Sequence, residues 1–147
     1  MGPSLVPETA IGAFYPYTLA ALCVWREARG QSVEARRGIW WVLQNRIKHP
    51  MFRPSLVQVV LQPWQFSCFN AKDPEVTKFP NEANTLDWQA WVEILDITES
   101  PGDDPTGGAV YYESLTIEEL DVVRAKDSWF AKDKLIIQID AVRFYRA

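Results

Sequence analysis

The stretch of sequence that decides the fold runs from Leu19 to Gly30 and reads LAALCVWREARG. An apolar run that passes into charged residues and stops at a glycine is typical of the end of a helix. Spacings of four residues place Leu19, Cys23 and Glu27 on one face of this helix. Because burial removes water from a carboxylate at a high cost, the place of Glu27 at the end of an apolar stripe indicates a special role.

The composition is that of one globular domain. The chain has 147 residues, of which 48% are hydrophobic and 23% are charged, as in ordinary globular proteins. The formal net charge of -4 and the lack of a basic stripe argue against a nucleic-acid partner. The apolar stretch from Ile11 to Trp25 is short and is interrupted by Pro16, so we expect no stable membrane insertion. No basic region precedes it as in a signal peptide, and we expect a monomer made in the cytoplasm.

Cysteine and histidine are too few to build a framework or a metal centre. Cys23 and Cys68 can form at most one bridge, and free buried thiols are the simpler interpretation. His49 is the only histidine and precedes Pro50 at a predicted helix end, which disfavours Ser-His-Asp and Cys-His catalysis. One histidine cannot form a His-rich site. We therefore expect no metal and no cofactor.

The remaining patterns predict an α+β, mainly helical domain over residues 17–147, preceded by an irregular N-terminal arm over residues 1–16. The predicted helices are 17–28, 33–48 with Ser32 as N-cap, a short helix that Ser55 caps and that ends before Pro63, 85–97 with Asn84 as N-cap, and a short helix at Thr116. The predicted inward residues of helix 85–97 are Leu86, Ala90, Trp91, Ile94 and Leu95. Strands are predicted at 109–113 and, once or twice, within 135–145.

Glu27 is the strongest candidate for chemistry. Partial burial and the negative end of a helix macrodipole both raise the pKa of a carboxyl, so that it can donate a proton near neutral pH. Arg26 and Arg29 lie close in sequence, and either could pair with Glu27 and oppose this effect. From the residues alone, a salt bridge at the helix end is the favoured interpretation.

The loop at residues 62–67 reads QPWQFS and alternates amide, aromatic and hydroxyl side chains. Binding residues concentrate in such loops. Gln65 and Ser67 could form hydrogen bonds with sugar hydroxyl or acetamido groups, and Trp64 or Phe66 could offer a stacking face. An ordinary loop with one aromatic plug is an equally good interpretation.

The segment at residues 104–112 reads DPTGGAVYY. Its paired glycines, Gly107 and Gly108, permit a tight turn or a close approach of the backbone to a ligand. If the following strand alternates, one of Tyr111 and Tyr112 faces away from the core. A hairpin corner is the alternative, and a phosphate loop is excluded because the Gly-Lys-Ser/Thr end is missing.

Taken together, these motifs resemble the cell-wall hydrolase family that includes spore cortex-lytic enzymes. The similar segments, in the order of the family, are EARG at 27–30, VLQNRI at 42–47, QPWQFS at 62–67, DPTGGA at 104–109 and RFY at 143–145. The resemblance implies a lysozyme-like fold with a small β-hairpin region, and a glycan strand of peptidoglycan as the partner. It also implies cleavage of the β-1,4 bond between N-acetylmuramic acid and N-acetylglucosamine, with Glu27 as general acid and base. The expected cleft residues are Gln65, Phe66, Ser67, Thr106, Gly107, Tyr111 and Tyr112.

Members of this family are expected to be lytic transglycosylases, in which one carboxylate suffices. A hydrolytic muramidase would need a second carboxylate, and neither Glu34 nor the loop residues Asp73 and Glu75 is a convincing one. The sequence departs from the family at three places, namely Gln31 for Glu, Gln44-Asn45 for Leu-Asn and residues 140–142 for Gly-Asn-His. Gln31 and Val142 leave a non-catalytic peptidoglycan-binding module as an alternative. A protein that recruits a partner through an apolar surface is a further alternative. The lack of a signal suits a bacteriophage endolysin, which a separate membrane-permeabilising protein would release to the wall.

Overall fold

The computed structural model describes residues 8–62, 66–69, 72–115 and 132–147. Within these residues four α-helices and a three-stranded antiparallel sheet surround one core, which confirms the mainly helical α+β prediction. None of these helices has the length and apolar character needed to cross a membrane. The helices are α1 (Glu8–Ala28), α2 (Val33–Lys48), α3 (Leu56–Leu61) and α4 (Thr85–Glu99), the strands are β1 (Tyr111–Ser114), β2 (Leu135–Ile139) and β3 (Val142–Tyr145), and short 3-10 turns occupy Ser67–Phe69, Pro74–Thr77 and Lys132–Lys134.

Helix α1 begins earlier than the sequence predicts. It starts at Glu8 and continues through Pro16, so the prediction of an irregular arm is wrong from residue 8 onward, while residues 1–7 lie outside the described part. Proline removes one backbone N–H and its hydrogen bond, but the residues on both sides of it remain helical. The helix ends at Ala28, as predicted, and its C-terminal half lies in the core.

Helix α2 has the bounds that its sequence predicts, because its N-cap and its apolar spacing agree. The Ser32 Oγ accepts a hydrogen bond from the Ala35 backbone N–H at 3.2 Å, which satisfies one of the free donors at the helix start. Ile39 and Leu43 are fully buried, and Ile47 is partly buried against the core. The helix therefore forms the central element of the domain.

Helix α4 begins at its predicted cap but buries fewer residues than predicted. Ala90 and Ile94 are buried, and Trp91 and Leu95 are partly buried against the core. Leu86, however, is 78% exposed, so its inward placement is wrong. Helical periodicity identifies the face of a helix that packs, but it does not show that the first turn extends beyond the neighbouring helices.

The sheet has the order β1-β3-β2, and β3 pairs with both neighbours in antiparallel register. β2 and β3 form a hairpin whose turn includes Asp140 at a φ of 51°, a left-handed conformation that Asp tolerates better than most residues. The C-terminal strands agree with the prediction, and β1 begins at Tyr111, two residues later than expected. The helix predicted at Thr116 lies outside the described residues.

The sheet packs onto α2 through Phe144, whose buried ring lies against Gly38. A Cβ atom added to Gly38 would lie 2.5 Å from the Phe144 Cζ. Replacement of a helical glycine by alanine ordinarily stabilises a helix by about 0.5–1 kcal/mol. Here the short contact means that the sheet can approach α2 only where a side chain is missing.

We expect Gly38→Ala to lower the free energy of unfolding by about 1–3 kcal/mol, because the new methyl group overpacks the core. Urea unfolding followed by circular dichroism measures this change. Gly30→Ala is the matched control, since no atom lies within 4 Å of its added Cβ. Equal stability of the two variants would contradict the packing described for Phe144.

Candidate active site

Glu27 lies in the last turn of α1 and is half-buried. Burial raises the pKa of its carboxyl above the ordinary value. Hydrogen bonding with the Cys68 thiol, the Tyr112 hydroxyl and the Cys68 backbone amide opposes this rise, and the charge of Asp73 adds to it. The net pKa is raised, so the protonated acid persists to a higher pH than in water.

Arg29 is not the partner of Glu27. Its guanidinium Nη1 lies 2.6 Å from the Glu75 Oε2, and its Nε lies 3.7 Å from the Asp87 carboxylate. The contact with Arg29, together with a contact with Lys78, lowers the pKa of Glu75 to about 2. Arg29 therefore belongs to an ion-pair network beside the acid.

Arg26 is also engaged elsewhere. Its guanidinium donates hydrogen bonds to three backbone carbonyls, those of Val76 at 2.9 Å, Lys78 at 3.1 Å and Cys68 at 3.3 Å. Backbone carbonyls close to a buried guanidinium satisfy its donors without neutralising a carboxylate. Among the described residues, the salt bridge between Glu27 and an arginine is not found, so the interpretation that the residues alone favoured does not hold there.

The 3-10 turn Ser67–Phe69 brings Cys68 to the end of α1. Cys68 and Cys23 are both free and buried, and the Cys23 thiol interacts with that of Cys68 by hydrogen bonding. Burial first, and this contact second, raise the pKa of Cys23, which keeps Cys23 in its thiol form at neutral pH. The structure thus shows two free buried thiols, which is the simpler interpretation of the cysteines.

The two tyrosines of β1 point to opposite faces of the strand, as strand alternation predicts. Tyr112 interacts with Glu27, and its ring lies near Phe144, with 6.5 Å between centroids. Tyr111 packs on the other side against Phe52, at 5.7 Å. Tyr112 is therefore the tyrosine that reaches the candidate acid.

Arg46 fixes the start of β1, and the sequence analysis missed it. Its side chain is 5% exposed, and its Nε donates to the Val110 carbonyl at 2.7 Å. The guanidinium also lies over the rings of Phe52, Phe66 and Tyr111, at 4.8, 5.1 and 5.5 Å from their centroids. The sequence signal that could have identified Arg46 was the position of an arginine on the inner, apolar face of α2.

Asp104 organises the glycine loop. Its carboxylate accepts hydrogen bonds from the Thr106 hydroxyl at 2.7 Å, the Asn45 Nδ2 at 2.8 Å and the Gly108 N–H at 2.9 Å. Partial burial raises the pKa of Asp104, but these hydrogen bonds outweigh it and the net pKa is lowered. Gly107 and Gly108 take φ values of 66° and 94°, which glycine adopts without strain.

The predicted cleft residues fall into three groups. Thr106 is fully buried and Phe66 is 3% exposed. Their predicted contact with substrate is therefore corrected: the Thr106 hydroxyl bonds within its loop, and Phe66 is the aromatic plug over Arg46. Gly107 is exposed beside β2, and the two tyrosines are placed as above. Gln65 lies outside the described residues, and so does the side chain of Ser67.

A groove of about 820 Å³ includes Glu27 in its wall and is lined by the end of α1, the start of α2 and the first half of α4. Its walls carry charges of both signs, and Arg36 pairs there with Glu93 at 3.0 Å. A groove of this volume is in the range of ligand sites. Because Glu27, whose pKa is raised, is among its lining residues, it is the candidate substrate cleft.

A second carboxylate near Glu27 exists in Asp73. Glu34 pairs with Arg37 on the outer face of α2, as predicted, and Glu75 is held by Arg29. Asp73 begins the turn Pro74–Thr77, where its Oδ1 accepts from the Glu75 N–H at 2.8 Å. Its charge raises the pKa of Glu27.

Two of the departures from the family lie away from the acid. Val142 is fully buried and pairs with Ser114 and Ile139 in the sheet, so its side chain belongs to the core. Gln44 lines a different pocket, between α1, α2 and α4. Neither residue alters the immediate surroundings of Glu27.

The structure thus combines a mainly helical domain, a small sheet and a half-buried glutamate in the wall of a groove. The chain belongs to the cell wall hydrolase family, because a sequence model of that family matches residues 30–145. Glu27 lies just before the matched stretch.

The relatives agree with this family. A spore cortex-lytic enzyme of Bacillus subtilis (strain 168) is 33% identical over 94 residues, which are 64% of this chain and 28% of that protein. The chain thus spans about a quarter of that relative. Two solved structures share the fold. The catalytic domain of the Bacillus cereus SleB protein has a TM-score of 0.61 at 24% identity and 89% coverage of both chains. The catalytic domain of the germination-specific lytic transglycosylase SleB from Bacillus anthracis has a TM-score of 0.60 at 20% identity, over 99% of this chain and 100% of that chain.

We expect Asp104→Asn to lower the free energy of unfolding by about 2 kcal/mol at pH 7, because the amide replaces an acceptor of several hydrogen bonds by a donor. The folded-state pKa of Asp104 is depressed. The stability it contributes is therefore present above the unfolded pKa of about 3.9 and lost as the pH falls through the folded value. Urea unfolding at pH 7 and pH 3 should show a smaller difference at pH 3.

Asp103→Asn, at the exposed neighbouring position, is the control and should change stability little at either pH. A loss for Asp104→Asn of the same size at both pH values would contradict the role of the charged carboxylate in the loop.

Proposed function

We propose that this chain cleaves the β-1,4 bond between N-acetylmuramic acid and N-acetylglucosamine in peptidoglycan, as a lytic transglycosylase with Glu27 as acid and base. The observation that carries the proposal is the environment of Glu27, whose pKa burial raises and which pairs with neither neighbouring arginine. The family of the chain and the lytic transglycosylase activity named for the Bacillus anthracis protein support the reaction class.

In the first step, protonated Glu27 gives its proton to the glycosidic oxygen as the bond to C1 of the muramic residue breaks. In the second step, the Glu27 carboxylate takes the proton of the C6 hydroxyl while that oxygen forms a bond to C1. The product carries a 1,6-anhydro ring, Glu27 is protonated again, and no water is consumed. One carboxyl group thus performs both proton transfers.

The neighbours of Glu27 suit both of its protonation states. Burial favours the neutral acid, which the first step needs. Hydrogen bonding with the Cys68 amide and the Tyr112 hydroxyl favours the carboxylate, which exists between the two steps. A carboxyl balanced in this way can give its proton in the first step and take a proton back in the second.

A hydrolytic muramidase is the second candidate, and Asp73 favours it. A hydrolase uses a second carboxylate to activate water or to attack carbon. Asp73 is close enough for its charge to act on Glu27. Its Oδ1 already accepts the hydrogen bond of the Glu75 amide, which leaves one oxygen for such a role, and the products distinguish the two reactions.

We expect Glu27→Gln to reduce the release of soluble muropeptides from purified peptidoglycan by about 10²-fold to 10⁴-fold, the usual contribution of a general acid. Mass spectrometry of the wild-type products should show 1,6-anhydromuramic ends. Reducing muramic ends would indicate a hydrolase, and Asp73→Asn would then be the next variant to test.

Glu34→Gln is the matched control, because Glu34 is exposed and pairs only with Arg37 among the ion pairs described. It should release muropeptides at the wild-type rate. If neither the wild type nor Glu34→Gln released fragments while both bound the wall, the chain would be a peptidoglycan-binding module.

We expect Tyr112→Phe to move the alkaline limb of the pH profile of kcat/KM to higher pH. The reaction needs protonated Glu27, so the rate falls as the pH rises through the pKa of Glu27 in the free enzyme. Loss of the Tyr112 hydroxyl removes a donor that stabilises the carboxylate, which raises that pKa further. Tyr111→Phe, on the other face of β1, should leave the limb in place, and a shift to lower pH in Tyr112→Phe would contradict the assignment.

A further inference from the structure

A second pocket, of about 540 Å³, lies between α1, α2 and α4 and shares no lining residue with the groove at Glu27. Tyr17 in its wall is ten residues before Glu27 on α1, which is about 15 Å along the helix axis at 1.5 Å per residue. The second pocket thus borders the middle of α1, and the groove borders its C-terminal end. The mechanism proposed for Glu27 uses none of the residues of this pocket.

Two buried donors in the wall of this pocket have no hydrogen-bond partner among the residues that the structure describes. They are the Trp40 indole Nε1 and the Gln44 amide Nε2, and both residues line the pocket. Residues four apart on a helix share a face, so the two donors belong to one surface of α2. A buried donor without a partner costs free energy and requires an explanation.

The rest of the wall combines aromatic surface with balanced charge. The Tyr17 ring stacks on Trp40, with 6.2 Å between centroids and 28° between planes. Trp41 adds a second indole, whose N–H is satisfied by the Pro101 carbonyl at 3.3 Å. Lys48 and Glu99 bring one charge of each sign. The wall therefore suits a neutral ligand that has both an apolar face and hydrogen-bond acceptors.

We propose that this pocket is a second, non-catalytic binding site for N-acetylated saccharide. The C–H face of a sugar ring would lie on the aromatic wall, and an acetamido carbonyl and a hydroxyl oxygen would accept from Trp40 and Gln44. Tyr17 is 50% exposed, and exposed side chains change rotamer rapidly, so its ring turns outward to admit the ligand. The choice of saccharide rests on the proposed function. The site would hold a glycan strand while Glu27 acts on another part of it.

The indole N–H groups of the protein report directly on this site. We would titrate the Glu27→Gln chain, with ¹⁵N-labelled tryptophan, with the tetramer of β-1,4-linked N-acetylglucosamine and follow the indole resonances. Trp40 reports on the second pocket. Trp25, whose indole donates to the Asp87 carbonyl at 2.9 Å, reports on the groove, because Asp87 lines the groove. We expect a saturable downfield shift of the Trp40 resonance.

Gln44→Leu tests the second donor. It removes a buried amide without a partner and keeps the approximate shape, so we expect the melting temperature to stay the same or rise. Saccharide binding read at Trp40 should weaken about tenfold, as loss of one hydrogen bond of about 1.4 kcal/mol implies. Gln89→Leu, in the groove wall, is the control and should leave the Trp40 titration unchanged.

The result that would overturn the proposal is a Trp40 resonance that does not move at saccharide concentrations that saturate Trp25, or that approach the solubility limit. Unchanged binding in Gln44→Leu would overturn it as well. The proposed function is measured separately, by wall digestion. A chain that digests no wall but shows the Trp40 shift would refute the proposed reaction and support the second binding site. A chain that digests the wall without the Trp40 shift would support the reaction and refute the second binding site.

Discussion

The buried guanidinium of Arg46 is the interaction on which the rest of the site depends. Burial of a charge costs free energy, and burial lowers the pKa of Arg46. Its Nε hydrogen bond to the Val110 carbonyl fixes the residue just before β1, and the preceding side chain, Asn45, bonds both Asp104 and the Ala109 carbonyl. Two consecutive residues of α2 therefore anchor the whole segment from the glycine loop to β1. Since β1 carries Tyr112, the partner of Glu27 is positioned by α2.

The fold exerts opposing effects on the protonation of Glu27. A carboxyl placed at the end of a buried helix face loses hydration, and the C-terminal end of the helix adds an unfavourable potential. Complete neutrality would leave a group that cannot act as a base, and full stabilisation of the charge would leave no proton to give. Donors from the Cys68 turn and from β1 offset part of the burial. The surrounding fold thus maintains opposing effects on the pKa of Glu27, as is common at functional sites.

Local signals in the sequence predicted the helices well and the tertiary contacts poorly. Ser32 and Ser55 identified the starts of α2 and α3, because a cap is a contact between residues three apart. The predictions for Leu86 and for the start of α1 were wrong. The exposure of a side chain and the tolerance of a proline depend on neighbouring elements, which the sequence of one helix does not encode. The motifs predicted that Glu27 and Tyr112 belong to one site. They could not predict that Phe66 is buried under Arg46, because a polar loop that binds a ligand and one that plugs a core have the same composition.

The contacts that surround Glu27 also join distant parts of the chain. Glu27 interacts with Cys68 and Tyr112, and the Val110 N–H donates to the carbonyl of Tyr145 in β3 at 2.9 Å. A ribosome makes a chain from its N-terminus at about 5–20 residues per second. Helices α1 to α3 therefore leave the ribosome while β3, which holds β1 in place, has not been translated. The nascent chain therefore carries Glu27 before Tyr112, one of the partners of that glutamate, is held in the sheet by β3.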